Sequence, residues 1–98
     1  MASASLSTHV LDTGTGRPAA GIQVRLYRGD ELVAHADTAA DGRIGDLGRD
    51  LDPGLYRIVF TMAGAFFSSA AFEIRLHDGH YHVPLLLSPY SCVTYRGS

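Results

Sequence analysis

Period-two alternation runs through most of this 98-residue sequence and restricts it to extended strands. In LSTHVLD, Leu6, Thr8 and Val10 fall on one face, and Ser7, His9 and Leu11 on the other. In IQVRLYR, Ile22, Val24 and Leu26 face inward while Gln23, Arg25 and Tyr27 face out. GDE then closes a hairpin with LVAHADT. Turn-formers punctuate the rest: TGTGRPAAG, AADGR, DPG, HDG and SP separate short β-rich runs at LYRIVFT, FEIRL, HYHVPLLL and YSCVTYR. Only MAGAFFSSAA is ambiguous, open to a short helix or a loose connection. Seven to eight strands with turns every 8–12 residues predict an all-β sandwich of two antiparallel sheets.

One strand resists the in-and-out rule. In HYHVPLLL, Tyr81, Val83, Leu85 and Leu87 share a face, yet Pro84 and Leu86 are apolar on the other. A strand apolar on both sides is covered on both. In a two-layer domain the second cover must come from another subunit, so this strand predicts an oligomer.

Length allows one domain, spanning residues 1–98, and burial of roughly 60–70% of the surface its unfolded chain exposes. Net charge is −2, and the cationic side chains are eight scattered arginines. No basic stripe suggests a nucleic-acid or anionic-membrane surface. No apolar run approaches the roughly 20 residues of a spanning helix. MASASLST lacks a basic end followed by an apolar block, so a cytoplasmic protein without a signal peptide is expected. The single cysteine, Cys92, excludes an internal disulfide and reads as a buried small residue.

Five histidines stand out. His35 and His77, on a hairpin arm and a strand end, read as surface residues. His80 and His82, two apart, share a face. That spacing suits a zinc site with His9 as third ligand, an acid–base pair, or interface packing, and spacing alone does not choose. His9 is an imidazole held mid-strand. Arg43, after Gly42, offers a planar cation for a small anion or a developing oxyanion. No Gly-x-Ser-x-Gly, phosphate loop or dinucleotide fingerprint is present.

The segments LSTHVLDTGTGRPAAGI, DGRI, GLYRIVF, HYHVPLLLSPY and the closing TYRGS are similar, in wording and order, to those of the 5-hydroxyisourate hydrolases, the enzymatic relatives of transthyretin. The resemblance covers nearly the whole chain. It implies a transthyretin-like (prealbumin-like) sandwich and a homotetramer, a dimer of dimers with active sites at subunit interfaces. It implies hydrolysis of 5-hydroxyisourate, in urate degradation, to 2-oxo-4-hydroxy-4-carboxy-5-ureidoimidazoline, with no metal or organic cofactor. By position it assigns catalysis to His9, Arg43, His82 and Ser98, and substrate contact to His9, Arg43 and Tyr95. His80 receives no role, and alternation assigns Arg96 to structural or interface pairing. Gly97 is expected to bend the chain so that Ser98 turns into the site.

Two stretches depart from the family pattern. Thr61 to Ala71 is short where a helix is usual, and Ser91-Cys92-Val93 replaces the usual Gly-Tyr-Ser. The alternative reading is a non-enzymatic small-molecule binder like transthyretin, which lacks the histidine, arginine and YRGS set. A structural sandwich domain and a metal-dependent hydrolase are further rivals.

Overall fold

A computed structural model describes residues 2–97. Its ten strands are β1 (Ala4–Asp12), β2 (Arg17–Pro18), β3 (Gln23–Arg28), β4 (Glu31–Asp37), β5 (Arg43–Leu51), β6 (Gly54–Thr61), β7 (Ser69–Leu76), β8 (Gly79–His82), β9 (Leu85–Ser88) and β10 (Ser91–Thr94). They form the two facing sheets that alternation predicts. One is β4-β3-β6-β7, antiparallel throughout. The other is built around β1, which pairs along one edge with β5 and β2 and along the other with β8 and β9; β10 lies outside β9.

The second sheet departs from the antiparallel expectation, because β1 runs parallel to β8 and β9. Strand β7, in the opposite sheet, ends at Leu76, and the chain crosses through His77 and Asp78 to enter β8 beside β1. Such a crossover between sheets sets a strand's direction without a hairpin, so no local turn signal announces it.

The core lies between the sheets. Ala4, Leu6, Thr8 and Val10 of β1 point into it, as alternation requires, and meet Val24, Leu26, Tyr56, Ile58 and Phe60 from the facing sheet. Phe60 packs edge-to-face on Phe72 at 6.4 Å. Strand β5 hides its role in sequence, because its register against β1 shifts twice, between Ala4 and Leu6 and between Leu6 and Thr8. Its buried residues, Ile44 and Leu47, are therefore three apart instead of two.

HYHVPLLL is one strand interrupted. Pro84 has no N–H to give a ladder, and the run divides into β8 and β9 on either side of Val83-Pro84. The break is stitched by side chains. Thr8 Oγ1 donates to the Val83 carbonyl at 2.6 Å, and Thr94 Oγ1 donates to the Pro84 carbonyl at 2.8 Å. Thr8 is the polar member of the inward face, and this bond satisfies it.

MAGAFFSSAA forms no helix. Residues 62–68 make an irregular loop closed by Met62 N–H donating to the Ser68 carbonyl at 2.9 Å. Strands β6 and β7 pair up to Thr61–Ser69, so residues 62–68 only close the hairpin.

Replacing Thr8 by valine keeps the shape and removes the donor to Val83. Stability is expected to fall by about 1–3 kcal/mol, the cost of stranding a buried polar group. A urea midpoint equal to that of the parent would contradict this account of the break.

Candidate active site

Because inward residues of β1 occupy even positions, Ser5, Ser7, His9 and Leu11 project from the outer face of the six-stranded sheet. Register then decides which side chains join them. His9 lies directly opposite Arg43 of β5. Ser5 and Ser7 pair with His80 and His82 of β8. Residues directly opposite on adjacent strands point the same way, with Cβ atoms roughly 4.5–5.5 Å apart in antiparallel pairs. The structure thus gathers His9, Arg43 and His82, with His80 beside them.

Arg43 is fixed by the turn before it. Asp41 Oδ1 accepts from the Arg43 N–H at 3.0 Å, and Gly42 N–H donates to the Ala39 carbonyl at 2.8 Å. Gly42 has φ 77°, and its carbonyl accepts the Val10 N–H at 2.8 Å. A Cβ on Gly42 would lie 2.5 Å from the Val10 carbonyl oxygen, so only glycine lets the turn clamp onto β1. The guanidinium is exposed, and the one ion pair among the described residues lies elsewhere, between Arg49 and Asp46.

His82 is held from two sides. Its Nδ1 is 2.8 Å from Ser7 Oγ. Behind it, Gly97 N–H donates to the His82 carbonyl at 2.6 Å. A Cβ on Gly97 would lie 2.7 Å from Cδ2 of the ring. Gly97 is not among the glycines with positive φ, so what demands glycine here is close approach to the imidazole and not an unusual bend. Burial, helped by the charges of Arg43, His9 and His80, holds the His82 pKa below the ordinary imidazole value. His82 is therefore neutral at neutral pH, with Nε2 the ring nitrogen not engaged by Ser7.

His80 has both ring nitrogens engaged, Nδ1 with Ser5 Oγ at 2.7 Å and Nε2 with Ser7 Oγ at 2.8 Å. Among the described residues no group of three His, Cys, Asp or Glu side chains is placed to hold a metal ion.

A hollow of about 360 Å³ is lined by His80, His82, Arg96 and Gly97. Arg96 also lies over the Tyr81 ring, 4.3 Å from its centroid, where a cation is attracted to the π face. It thus has the structural pairing expected of it and a place beside the histidines as well. Tyr95 lines a different hollow, between the sheets, with Phe72, Ile74, Leu76 and Val83. Ser98 lies outside the described residues. His35 and His77 are exposed. Cys92 is half-buried, and burial pushes its thiol pKa up, as expected of an unreactive cysteine. Sequence reasoning gave no role to Ser7, although alternation places it on the same face as His9.

Residues 6–97 match the model of the HIUase/Transthyretin family. The chain is 46% identical to 5-hydroxyisourate hydrolase 2 of Rhizobium meliloti, an alignment covering 98% of each. Its fold superposes on the structure of the Klebsiella pneumoniae 5-hydroxyisourate hydrolase with a TM-score of 0.91 and 34% identity, covering 100% of both chains. A sea bream transthyretin solved in complex with thyroxine is also similar, at TM-score 0.84 and 27% identity over 94% of this chain and 93% of that one.

Electrostatics at His82 give a signed expectation. Replacing Arg43 by glutamine removes a cation that disfavours the imidazolium, so the His82 pKa should rise toward the ordinary value while burial keeps it from arriving. Because the folded pKa is depressed, His82 takes up its proton more readily in the unfolded chain. It therefore costs stability as pH falls from the ordinary imidazole value to its own lower one, and Arg43→Gln should narrow that loss. An NMR titration in which the His82 midpoint stays fixed or moves down would refute the assignment.

Proposed function

The chain belongs to the HIUase/transthyretin family, and on that premise we propose that it is an enzyme that hydrolyses 5-hydroxyisourate. The observation that carries the reading is the convergence of His9, Arg43 and His82 on one sheet face through strand register. Opening a lactam C–N bond with water requires a base, a cation for the oxyanion and a proton for the leaving nitrogen. Those are the three groups present.

In the proposed mechanism, Nε2 of neutral His82 takes a proton from water as the hydroxide forms its bond to the carbonyl carbon. Arg43 binds the polar edge of the heterocycle and compensates the oxyanion. Its guanidinium is exposed and has no ion-pair partner among the described residues, which supports this role. His9, opposite Arg43, donates the proton to the ring nitrogen as the C–N bond breaks. Ser98 positions water or a substrate oxygen, and Tyr95 lines the substrate's approach. The product is 2-oxo-4-hydroxy-4-carboxy-5-ureidoimidazoline, and no cofactor takes part.

The site of a single chain is open, and its sheet face continues into an apolar row. Leu11, Leu86 and Val93 stand in register across β1, β9 and β10, with Val93 51% exposed. Such a row needs cover. This supports a homotetramer, a dimer of dimers in which a second copy closes the site. Residues 1–98 act as one hydrolase domain in this reading, working in the cytoplasm. No described helix is long and apolar enough to cross a membrane.

The transthyretin likeness keeps a binding role as the competing reading. Decay of freshly generated 5-hydroxyisourate, followed by absorbance, separates the two. The protein should accelerate it, and His9→Asn or His82→Asn should each lose roughly 10²-fold or more in kcat with the assembly intact. Near-parental turnover in both variants would remove the mechanism. No acceleration by the parent protein would favour a binder.

Val93→Asp places a charge in the apolar row. Sedimentation should show a smaller species, with turnover falling in parallel. An unchanged mass would sink the proposed interface.

A further inference from the structure

Four side chains of the outer face are linked in series: Ser5 Oγ to His80 Nδ1, His80 Nε2 to Ser7 Oγ, and Ser7 Oγ to His82 Nδ1, at 2.7, 2.8 and 2.8 Å. We propose that Ser5, His80 and Ser7 form a proton relay that sets the tautomer of His82 and drains the proton His82 takes up. This assignment rests on the hydrolase reading above and extends it to residues that the resemblance leaves without a role.

Proton counting makes the linkage directional. The Ser7 hydroxyl has one hydrogen and lies between two imidazole nitrogens, so it donates to at most one of them. With both imidazoles neutral, two polarities complete the chain. In the first, Nδ1–H of His82 donates to Ser7, Ser7 donates to Nε2 of His80, and Nδ1–H of His80 donates to Ser5. His82 then presents a free lone pair at Nε2, the form a base requires. In the second, every bond is reversed, and His82 carries its proton on Nε2. Ser7 is 8% exposed, so water has little access to replace either bond.

The relay operates by exchanging these polarities. Starting from the first, Nε2 of His82 takes a proton from water, and the imidazolium forms. Burial and the facing charges oppose that cation: His9 from β1, Arg43 from β5 and His80 on its own strand. Arg96, lining the same hollow, adds a further positive group. The Nδ1 proton passes to Ser7 as the Ser7 proton passes to Nε2 of His80. The Nδ1 proton of His80 passes to Ser5 as the Ser5 proton leaves to solvent. His82 ends neutral with its proton on Nε2, and one proton has been released. When the product has gone, Nε2 gives its proton to solvent and Ser5 takes one back, restoring the first polarity. No electrons move, and the proton count closes. His80 suits the outer position because it is exposed, while His82 is not.

Ring-nitrogen NMR of the ¹⁵N-histidine-labelled protein, with His82 signals identified by their loss in His82→Asn, tests the relay beside steady-state kinetics. The parent should show one predominant neutral tautomer at His82. Ser7→Ala should shift its ring-nitrogen signals toward a tautomer mixture and lower kcat roughly tenfold, short of the ~10²–10⁴ expected for loss of an acid–base group itself. KM should change little, and Ser7→Thr, which restores the hydroxyl, should recover most of the loss. His80→Gln keeps an amide at hydrogen-bond reach but cannot pass a proton. Its kcat should fall and be partly recovered by added imidazole, a rescue that a packing defect would not show.

Unchanged His82 signals in Ser7→Ala overturn the proposal whatever the turnover. Unchanged kcat in both Ser7→Ala and His80→Gln overturns it too. Absence of turnover in the parent would instead defeat the hydrolase reading, while the nitrogen signals would still decide whether Ser7 sets the His82 tautomer.

Discussion

The register of β1 against its four direct neighbours is the constraint on which the rest of the molecule depends. Side chains alternate with a period of two, so a slip of one residue would send His9 and Ser7 into the core and Thr8 and Val10 into solvent. The inward face is too apolar and too well matched to permit that: Leu6 and Val10 have no exposed surface, and Thr8 has its donor committed to Val83. Hydrophobic burial on one side of the sheet thereby fixes a polar constellation on the other. The functional face needs no packing of its own to be precise in position, because its geometry is inherited from the core through the backbone.

Two glycines then bring in groups from outside β1. Gly42 allows the turn before β5 to press against Val10, which sets Arg43 across from His9. Gly97 allows the C-terminal segment to lie against the His82 ring. In both cases a side chain would meet an atom closer than a real Cβ contact permits. The resulting face concentrates imidazoles and cations with no carboxylate paired to them among the described residues. Such an excess of positive charge is unfavourable for the isolated protein and favourable for an electron-rich heterocycle that develops negative charge as it reacts. The depressed pKa of His82 is one expression of that arrangement.

Sequence alone exposed the elements with clean alternation. Strands β1, β3, β6 and β7 are legible because each buries alternate residues against a single core. Strand β5 was not, since two register shifts place its buried residues three apart. The parallel pairing of β8 and β9 with β1 depends on a crossover between sheets, which leaves no trace in any local window. At the site, His9, Arg43 and His82 were named by resemblance, and alternation already put Ser7 beside His9. What no pattern could supply was the placement of His80 between two serines, because that requires the pairing of residues more than seventy positions apart. Arg96 was legible only in part. Alternation gave its structural pairing, realised on Tyr81, but not its place beside the histidines, since that depends on the C-terminal segment pairing with β8 at His82.

Pro84 ties these observations together. An unbroken strand through HYHVPLLL would continue the ladder of β1 without a gap. Proline removes one donor, and Thr8 and Thr94 supply hydroxyls to the carbonyls of Val83 and Pro84. The break separates two surfaces of different character on the same outer face. On the β8 side stand the histidines and serines; on the β9 side stand Leu86, Leu11 and Val93. The C-terminal segment runs on past the break in the register of β10 on β9, with Ser91 opposite Ser88, Thr94 opposite Leu85 and Gly97 opposite His82. The antiparallel bridge between His82 and Gly97 lies past the end of β10 and joins the segment to the last residue of β8. One continuous sheet face thus holds an apolar row and a polar cluster side by side, with the chain's last described glycine paired to the polar one.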